Sequence, residues 1–208
     1  MELKAFTDWW QMLDNKMIKE SESRVKNYIR DFLIKTKEKA LDTDFFLTNA
    51  NNSLSTARLL MDVSTRDDLQ KITGYLKFNG YLWVINSSYY SMFYMARALL
   101  ENAGIKLKSD LSVHLMTFDA LVYYFYLTGK LQKSIIETYA DAKEYVDELI
   151  GKDKADELIA SYYYEKKKHS QFTYEAGELA MQSKAKTSLE RAVMFSKEIK
   201  KIIGLSEF

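Results

Sequence analysis

The chain has 208 residues, with 30 basic and 29 acidic side chains and a net charge of +1. This balance gives no field over the whole protein that would attract nucleic acid or anionic lipid, so any basic site must be local. Cysteine is absent, which excludes disulfides, thiolate zinc sites and cysteine nucleophiles, and the first residues carry scattered charges instead of the apolar run of a secretory signal.

Long helices are predicted from the first residues onward, because the chain has no proline and only seven glycines. Over residues 1–40, apolar side chains recur every three or four positions, which predicts an amphipathic N-terminal arm with a break at Ser21–Ser23. Trp9 and Trp10 are expected to anchor this arm to the core. The alternative is that they bind a partner protein.

The most apolar stretch, Tyr81–Ala103, predicts a central helix that other helices cover on most sides and that ends at Gly104. Before it, a helix is predicted from Thr43 or Asp44 to Met61. Four Asn or Ser positions and four Tyr make the central stretch a poor membrane span, so we expect no membrane segment.

Four further helices are predicted after the central one. The first runs from Ser109 or Asp110 to Gly129, and the second covers Ser134–Ile150, with acidic residues on its solvent face. The third begins at Asp153 and is interrupted at Gly177, and the last runs to Ile203 and stops at Gly204.

Together these elements predict an all-α protein, since no stretch shows the period of two that is typical of strands. The expected architecture is an antiparallel helical bundle of four to five core helices over residues 44–204, with the N-terminal helical arm, 1–40, added to it. The sequence shows no Glu-x-x-His, glycine-rich phosphate loop or metalloprotease histidine pair, so we predict neither a metal site nor a cofactor.

Four segments carry a family resemblance. In chain order they read ARLLMD, SYYSMFYMARALLENAGI, YEKKKHSQFTYE and LERAVMFSKEIKKII. They resemble the HEPN domain (higher eukaryotes and prokaryotes nucleotide-binding), and the YYSMFYMARALL run is the most specific part. The resemblance implies a homodimer, a small nucleotidyltransferase as antitoxin partner, and, in many members, a metal-independent RNase toxin in which an Arg precedes a His by five to seven positions.

The chain departs from that motif, because none of its six arginines lies five to seven positions before His114 or His169. At the motif's location stand Lys166, Lys167, Lys168 and His169. Lysine cannot replace the bidentate phosphate contact of arginine, so the resemblance implies a degenerate RNase motif.

This lysine cluster nevertheless has the chemistry of a site for RNA or a nucleotide. Lysines 166, 167 and 168 are candidates to contact phosphate, Tyr174 to stack on a base, and His169 to act as general acid or base. A solvated helix end with inward-facing tyrosines is the alternative interpretation. His114 is expected to be a hydrogen-bonded structural residue, and Arg97 is expected to pair with a carboxylate or reach the surface.

The leading hypothesis is therefore a cytoplasmic, dimeric HEPN-like module of toxin–antitoxin type that associates with RNA or nucleotides. An active metal-independent RNase using His169 is one alternative. A protein-interaction scaffold that binds through residues 1–40 is the other.

Overall fold

The computed structural model describes residues 15–108, 113–150 and 171–205, and the side chains of residues 147–150 and 171–178 lie outside this description. Seven α-helices and one two-stranded sheet make up the described part, which confirms the all-α bundle. The elements are α1 (Asn15–Arg30), β1 (Ile34–Lys35), α2 (Thr43–Thr65), α3 (Asp67–Thr73), α4 (Tyr81–Asn102), β2 (Lys106–Leu107), α5 (Val113–Leu121), a π-helical turn (Val122–Tyr126), α6 (Lys133–Ile150) and α7 (Gln171–Ile203).

Helix α4 is the centre of the bundle, as the sequence predicts. Of its 22 residues, 14 are buried, and it contacts α2, α5, α6 and α7, most extensively α2 and α7. The C-terminal end of α2 meets the start of α4, where the Gly80 amide donates to the Ser64 hydroxyl at 2.8 Å. The start of α2 meets the other end of α4, so the two helices run antiparallel.

The end of α4 depends on Gly104, which has a φ of +72°. The Gly104 carbonyl accepts from the Glu38 amide at 3.1 Å, and a Cβ at Gly104 would lie 2.9 Å from the Glu38 carbonyl oxygen. Directly after this contact, β2 pairs antiparallel with β1, with Ile34 opposite Leu107. The sequence analysis did not predict this short sheet.

Within the N-terminal arm, helix α1 is joined to α5 by a partly buried ion pair. Arg24 donates from Nε and Nη2 to the two carboxylate oxygens of Asp119, at 2.7 and 2.8 Å. The Asp119 side chain is fully buried, and the Tyr28 hydroxyl lies 3.4 Å from its Oδ2. The pKa of the Arg24 guanidinium is raised, and this bidentate hydrogen bond to Asp119 is the largest cause.

Two predicted helix breaks are wrong. Helix α1 runs through Ser21–Ser23, because Ser21 is buried and its hydroxyl accepts from Arg24 at 3.2 Å. Helix α7 runs through Gly177 without a break. A single glycine costs about 1 kcal/mol in a helix interior, and packing of a 33-residue helix on α4 outweighs that.

The helix predicted to end at Gly129 changes form along its length. Helix α5 gives way after Leu121 to the π-helical turn, where the Leu127 amide donates to the Val122 carbonyl at 2.9 Å. Gly129 then stops it with a φ of +72°. The connection predicted at Ser64–Asp68 is also shorter than expected, because α3 begins at Asp67.

The first prediction concerns Gly104, with Gly74 as the matched control. Both have positive φ, but a Cβ at Gly74 would meet nothing within 4 Å. We expect Gly74→Ala to lower the free energy of unfolding by about 1 kcal/mol and Gly104→Ala to lower it by roughly 2–4 kcal/mol, because only the latter also displaces backbone. Urea denaturation measures both, and equal losses would contradict the role of the Glu38 contact.

The second prediction concerns the ion pair between Arg24 and Asp119. Arg24→Leu leaves a buried carboxylate without its cation, so we expect the free energy of unfolding to fall by about 3–5 kcal/mol. Arg24→Leu combined with Asp119→Leu should recover most of this loss, because neither charge then remains in the interior.

The control for this pair is Arg30→Leu, which removes an exposed contact with Asp31 at 3.0 Å and should cost under about 1 kcal/mol. Thermal denaturation compares the four proteins. A double variant that is no more stable than Arg24→Leu would show that the ion pair does not explain the loss.

Candidate functional site

The site predicted from the resemblance lies outside the described residues. Lys166, Lys167, Lys168 and His169 fall within residues 151–170, and Tyr174 belongs to α7 at a position whose side chain is not described. Their roles therefore stay predictions. A second candidate site, which the sequence analysis did not single out, lies on α4 and α5.

One side of α4 remains open. Trp83, Ser87, Tyr90, Tyr94 and Arg97 follow each other at spacings of four and three, which places them on one helix face. We call these five residues the α4 stripe. Trp83 is 59% exposed and Tyr90 is 36% exposed, whereas the three other members are half-buried. The stripe extends for about 21 Å along the helix.

Beside the middle of the stripe lies His114, on the first turn of α5. Its ring centroid is 4.2 Å from that of Phe93, and the ring of Tyr90 meets it edge-on at 6.0 Å. Its Nδ1 lies 2.8 Å from the Tyr89 hydroxyl, so the predicted hydrogen bond of this histidine is confirmed.

This contact couples the two nitrogens of the His114 ring. A neutral imidazole carries one proton. When the Tyr89 hydroxyl donates to Nδ1, Nε2 carries the proton and is a donor. When Nδ1 carries the proton and donates to Tyr89, Nε2 is an acceptor.

The position of Tyr89 is fixed by a series of stacked rings in the core. Tyr89 stacks on Tyr139 with centroids 6.1 Å apart, and Tyr139 stacks on Phe118 at 6.3 Å and on Phe195 at 5.6 Å. These rings come from α4, α5, α6 and α7. Burial is the main cause that raises the pKa of the Tyr139 hydroxyl well above its usual value, and the neighbouring Tyr89 raises it further.

A half-buried cation, Arg97, ends the stripe. Its guanidinium carbon lies 4.7 Å from the centroid of the Phe46 ring, and Nη2 donates to the Leu107 carbonyl at 3.4 Å. Burial lowers the pKa of Arg97, and the charge of Glu101 opposes that shift. Arginine nevertheless remains protonated at neutral pH, so the stripe has a permanent positive charge at this end.

Glu101 interacts with several other groups besides Arg97. Its Oε1 accepts from the backbone amides of Leu41 and Asp42, at 3.0 and 3.3 Å, and lies 3.4 Å from Nζ of Lys106. Nζ of Lys106 also lies 3.8 Å from Oδ2 of Asp42, so the two cations, Arg97 and Lys106, have two carboxylates near them, Glu101 and Asp42. The formal charges of these four side chains therefore cancel.

The acidic face predicted on α6 is only partly directed to solvent. Glu137 lies 3.4 Å from Lys133 on the same helix, but Asp141 pairs with Arg191 of α7 at 3.0 Å. Burial raises the pKa of Asp141, and Arg191 opposes the rise. Asp141 therefore helps to join α6 to α7.

Neither a metal cluster nor a membrane-spanning helix occurs in the described ranges. Residues 15–108, 113–150 and 171–205 contain no group of three or more His, Asp or Glu side chains that could hold a metal ion. In the same part of the chain, no helix has the length and apolar character needed to span a bilayer.

No protein family, curated protein or solved structure matches this chain. The HEPN resemblance therefore remains a prediction from the sequence.

The third prediction concerns the contact between Tyr89 and His114. The chain has only two histidines, so their imidazole nitrogens are readily resolved by ¹⁵N NMR. Tyr89→Phe removes the hydroxyl from Nδ1, and we expect the nitrogen shifts of one histidine to move while those of the other stay unchanged. Tyr94→Phe, which removes a hydroxyl from the same helix, is the control. If neither histidine responds to Tyr89→Phe, the hydrogen bond does not form in solution.

Proposed function

We propose that the chain is a HEPN-like helical module of toxin–antitoxin type that binds RNA or a nucleotide, with a degenerate RNase motif. The observation that carries this proposal is the open α4 stripe. Aromatic rings exposed next to a cation are the combination with which proteins hold unpaired bases and their phosphates. In the stripe, Tyr90 is exposed, Tyr94 is half-buried one turn further on, and Arg97, half-buried against Phe46, is the cation at the end.

Burial elsewhere on α4 strengthens this interpretation. Large aromatic side chains are normally used to fill a core, yet Trp83 and Tyr90 reach solvent from a helix with 14 buried residues. Folding alone does not require them there. Stacking on a ligand accounts for the exposure of these two rings.

Binding without cleavage is the preferred form of the proposal. The motif's arginine is absent from its expected spacing, and Nδ1 of His114 is occupied by Tyr89. An active metal-independent RNase using His169 remains the alternative. The proposed homodimer, the nucleotidyltransferase-type antitoxin partner and the cytoplasmic location rest on the resemblance and composition.

The fourth prediction tests RNA binding and cleavage by the full chain in EDTA. Base stacking on an aromatic residue is worth roughly 1–3 kcal/mol, so Tyr90→Ala with Tyr94→Ala should raise the Kd for a single-stranded RNA by about tenfold or more. Phe45→Ala, which removes an aromatic residue that is 61% exposed on α2, should leave the Kd unchanged. Fluorescence anisotropy measures binding, and gel electrophoresis measures cleavage.

A variant with Lys166, Lys167 and His169 all replaced by Ala separates the remaining alternatives. Cleavage by the wild type that this variant loses would establish the RNase alternative. Weaker binding in both this variant and the tyrosine variant would place the two candidate sites on one RNA surface. No binding by the wild type would overturn the proposal and favour the scaffold, for which deletion of residues 1–40 is the next test.

A further inference from the structure

The turn that follows α1 combines exposed apolar side chains with lysines that have no role in the proposed RNA site. Phe32 is 77% exposed and Leu41 is 64% exposed. Three exposed lysines stand between them in the chain, and a fourth exposed lysine follows β2. We call these six residues the basic turn: Phe32, Lys35, Lys37, Lys39, Leu41 and Lys108.

Phe32 occupies a backbone position at the end of α1 that favours glycine. Its φ is +56°. Its amide donates to the Ile29 carbonyl at 3.1 Å, and the Leu33 amide donates to the Tyr28 carbonyl at 2.8 Å, which are the two hydrogen bonds of a Schellman motif. Glycine takes the left-handed position of this motif without steric cost and asparagine tolerates it, whereas a bulky side chain is an outlier there.

The Phe32 ring does not offset this backbone conformation by packing. Its neighbours Tyr28 and Leu33 pack against the core, but Phe32 itself is largely in solvent. A phenylalanine at this position therefore costs stability and adds little to the interior. A contact outside the chain accounts for both the residue type and its exposure.

The short sheet places lysines of the basic turn on one outer face. In its register the buried Ile34 lies opposite the buried Leu107. Side chains alternate along a strand, so the neighbouring pair, Lys35 and Lys106, points to the other face. Lys108 comes two residues after Lys106 and shares that face. Like charges opposite each other destabilise a sheet, so folding does not require this pairing.

Most acidic residues near the basic turn already have a cation beside them. Asp31 pairs with Arg30 at 3.0 Å. Glu101 and Asp42 lie 3.4 and 3.8 Å from Nζ of Lys106. These carboxylates therefore do not neutralise the lysines of the basic turn.

Two further carboxylates lie close in the chain. Glu38 is exposed within the turn, and Asp44 lies in the first turn of α2. None of the four lysines of the basic turn forms an ion pair within the part of the chain that the structure describes. Four lysines against two carboxylates leave an excess of positive charge on this surface.

The backbone of the basic turn is fixed at the end of α4. The Glu38 amide donates to the Gly104 carbonyl at 3.1 Å, and the Leu41 amide donates to the buried Glu101 carboxylate at 3.0 Å. A surface that is already ordered loses little conformational entropy when it binds, which favours binding.

An anionic bilayer fits this surface better than a nucleic acid does. Phe32 and Leu41 are purely apolar and protrude separately, and the interfacial region of a bilayer takes up such groups without a complementary pocket. Its headgroups supply the diffuse negative charge that separate lysines favour. Recognition of a base instead needs ring faces in succession or hydrogen-bonding groups, and Leu41 offers neither.

We propose that the basic turn is a peripheral membrane contact, in which Phe32 and Leu41 enter the interfacial region of an anionic bilayer and the four lysines bind its headgroups. The contact lies on the bilayer surface and needs no spanning helix. This inference goes beyond the proposed function and does not depend on RNA binding.

Co-sedimentation of the full chain with lipid vesicles tests the contact. We expect binding to vesicles that contain phosphatidylserine and little binding to vesicles of phosphatidylcholine alone. Added salt should weaken the binding, because it screens the lysines from the headgroups.

Phe32→Asn tests the aromatic ring. Asparagine tolerates the left-handed backbone, so the Tm should stay the same or rise, whereas the Kd for phosphatidylserine vesicles should rise by about tenfold or more. The matched control is Leu76→Asn, which changes a residue that is 69% exposed in the loop before α4 and should leave the Kd unchanged. A lower Tm for Phe32→Asn would show that the ring serves the fold, which contradicts the argument.

Lys35→Gln with Lys37→Gln tests the charge. The loss of two lysines near an anionic surface should raise the Kd for the same vesicles by roughly twentyfold. Lys71→Gln with Lys77→Gln removes the same charge from α3 and the loop after it, where both lysines are exposed, and should change the Kd far less. Circular dichroism shows whether every variant keeps the helical content of the wild type.

Three outcomes would overturn the proposal: no sedimentation with phosphatidylserine vesicles, equal sedimentation with phosphatidylcholine vesicles, or equal effects of the test and control variants. Loss of RNA affinity in Phe32→Asn with vesicle binding unchanged would assign the basic turn to RNA instead. Tyr90→Ala with Tyr94→Ala should keep vesicle binding, so the two proposals fail independently.

Discussion

Burial of α4 is the constraint on which the rest of the structure depends. A helix this apolar is not stable in water if other elements cover only one of its sides. Hydrophobic burial is the main favourable contribution to folding. Helices α2, α5, α6 and α7 each cover part of it. Tyr139 of α6, which is fully buried, stacks on Tyr89 of α4 and on the fully buried Phe195 of α7 and so joins the three helices.

Local sequence patterns predicted the helices in which apolar residues recur every three or four positions and a glycine marks the C-terminal end. The expected bounds of α2, α4 and α6 agree with the structure to within a few residues, and Gly104, Gly129 and Gly204 each have positive φ where a helix stop was expected. These features depend on neighbours within one or two turns. Gly177 misled the prediction because long-range packing decides whether an isolated glycine ends a helix.

Contacts between distant positions could not be predicted from one sequence. Arg24 and Asp119 lie 95 positions apart, and neither stands in a pattern that indicates a partner. The same limit applies to the candidate site. The sequence of α4 places aromatic residues on almost every face of the helix, so it predicts a helix that is covered on most sides. Only the packing of the other helices shows that Tyr90 is exposed.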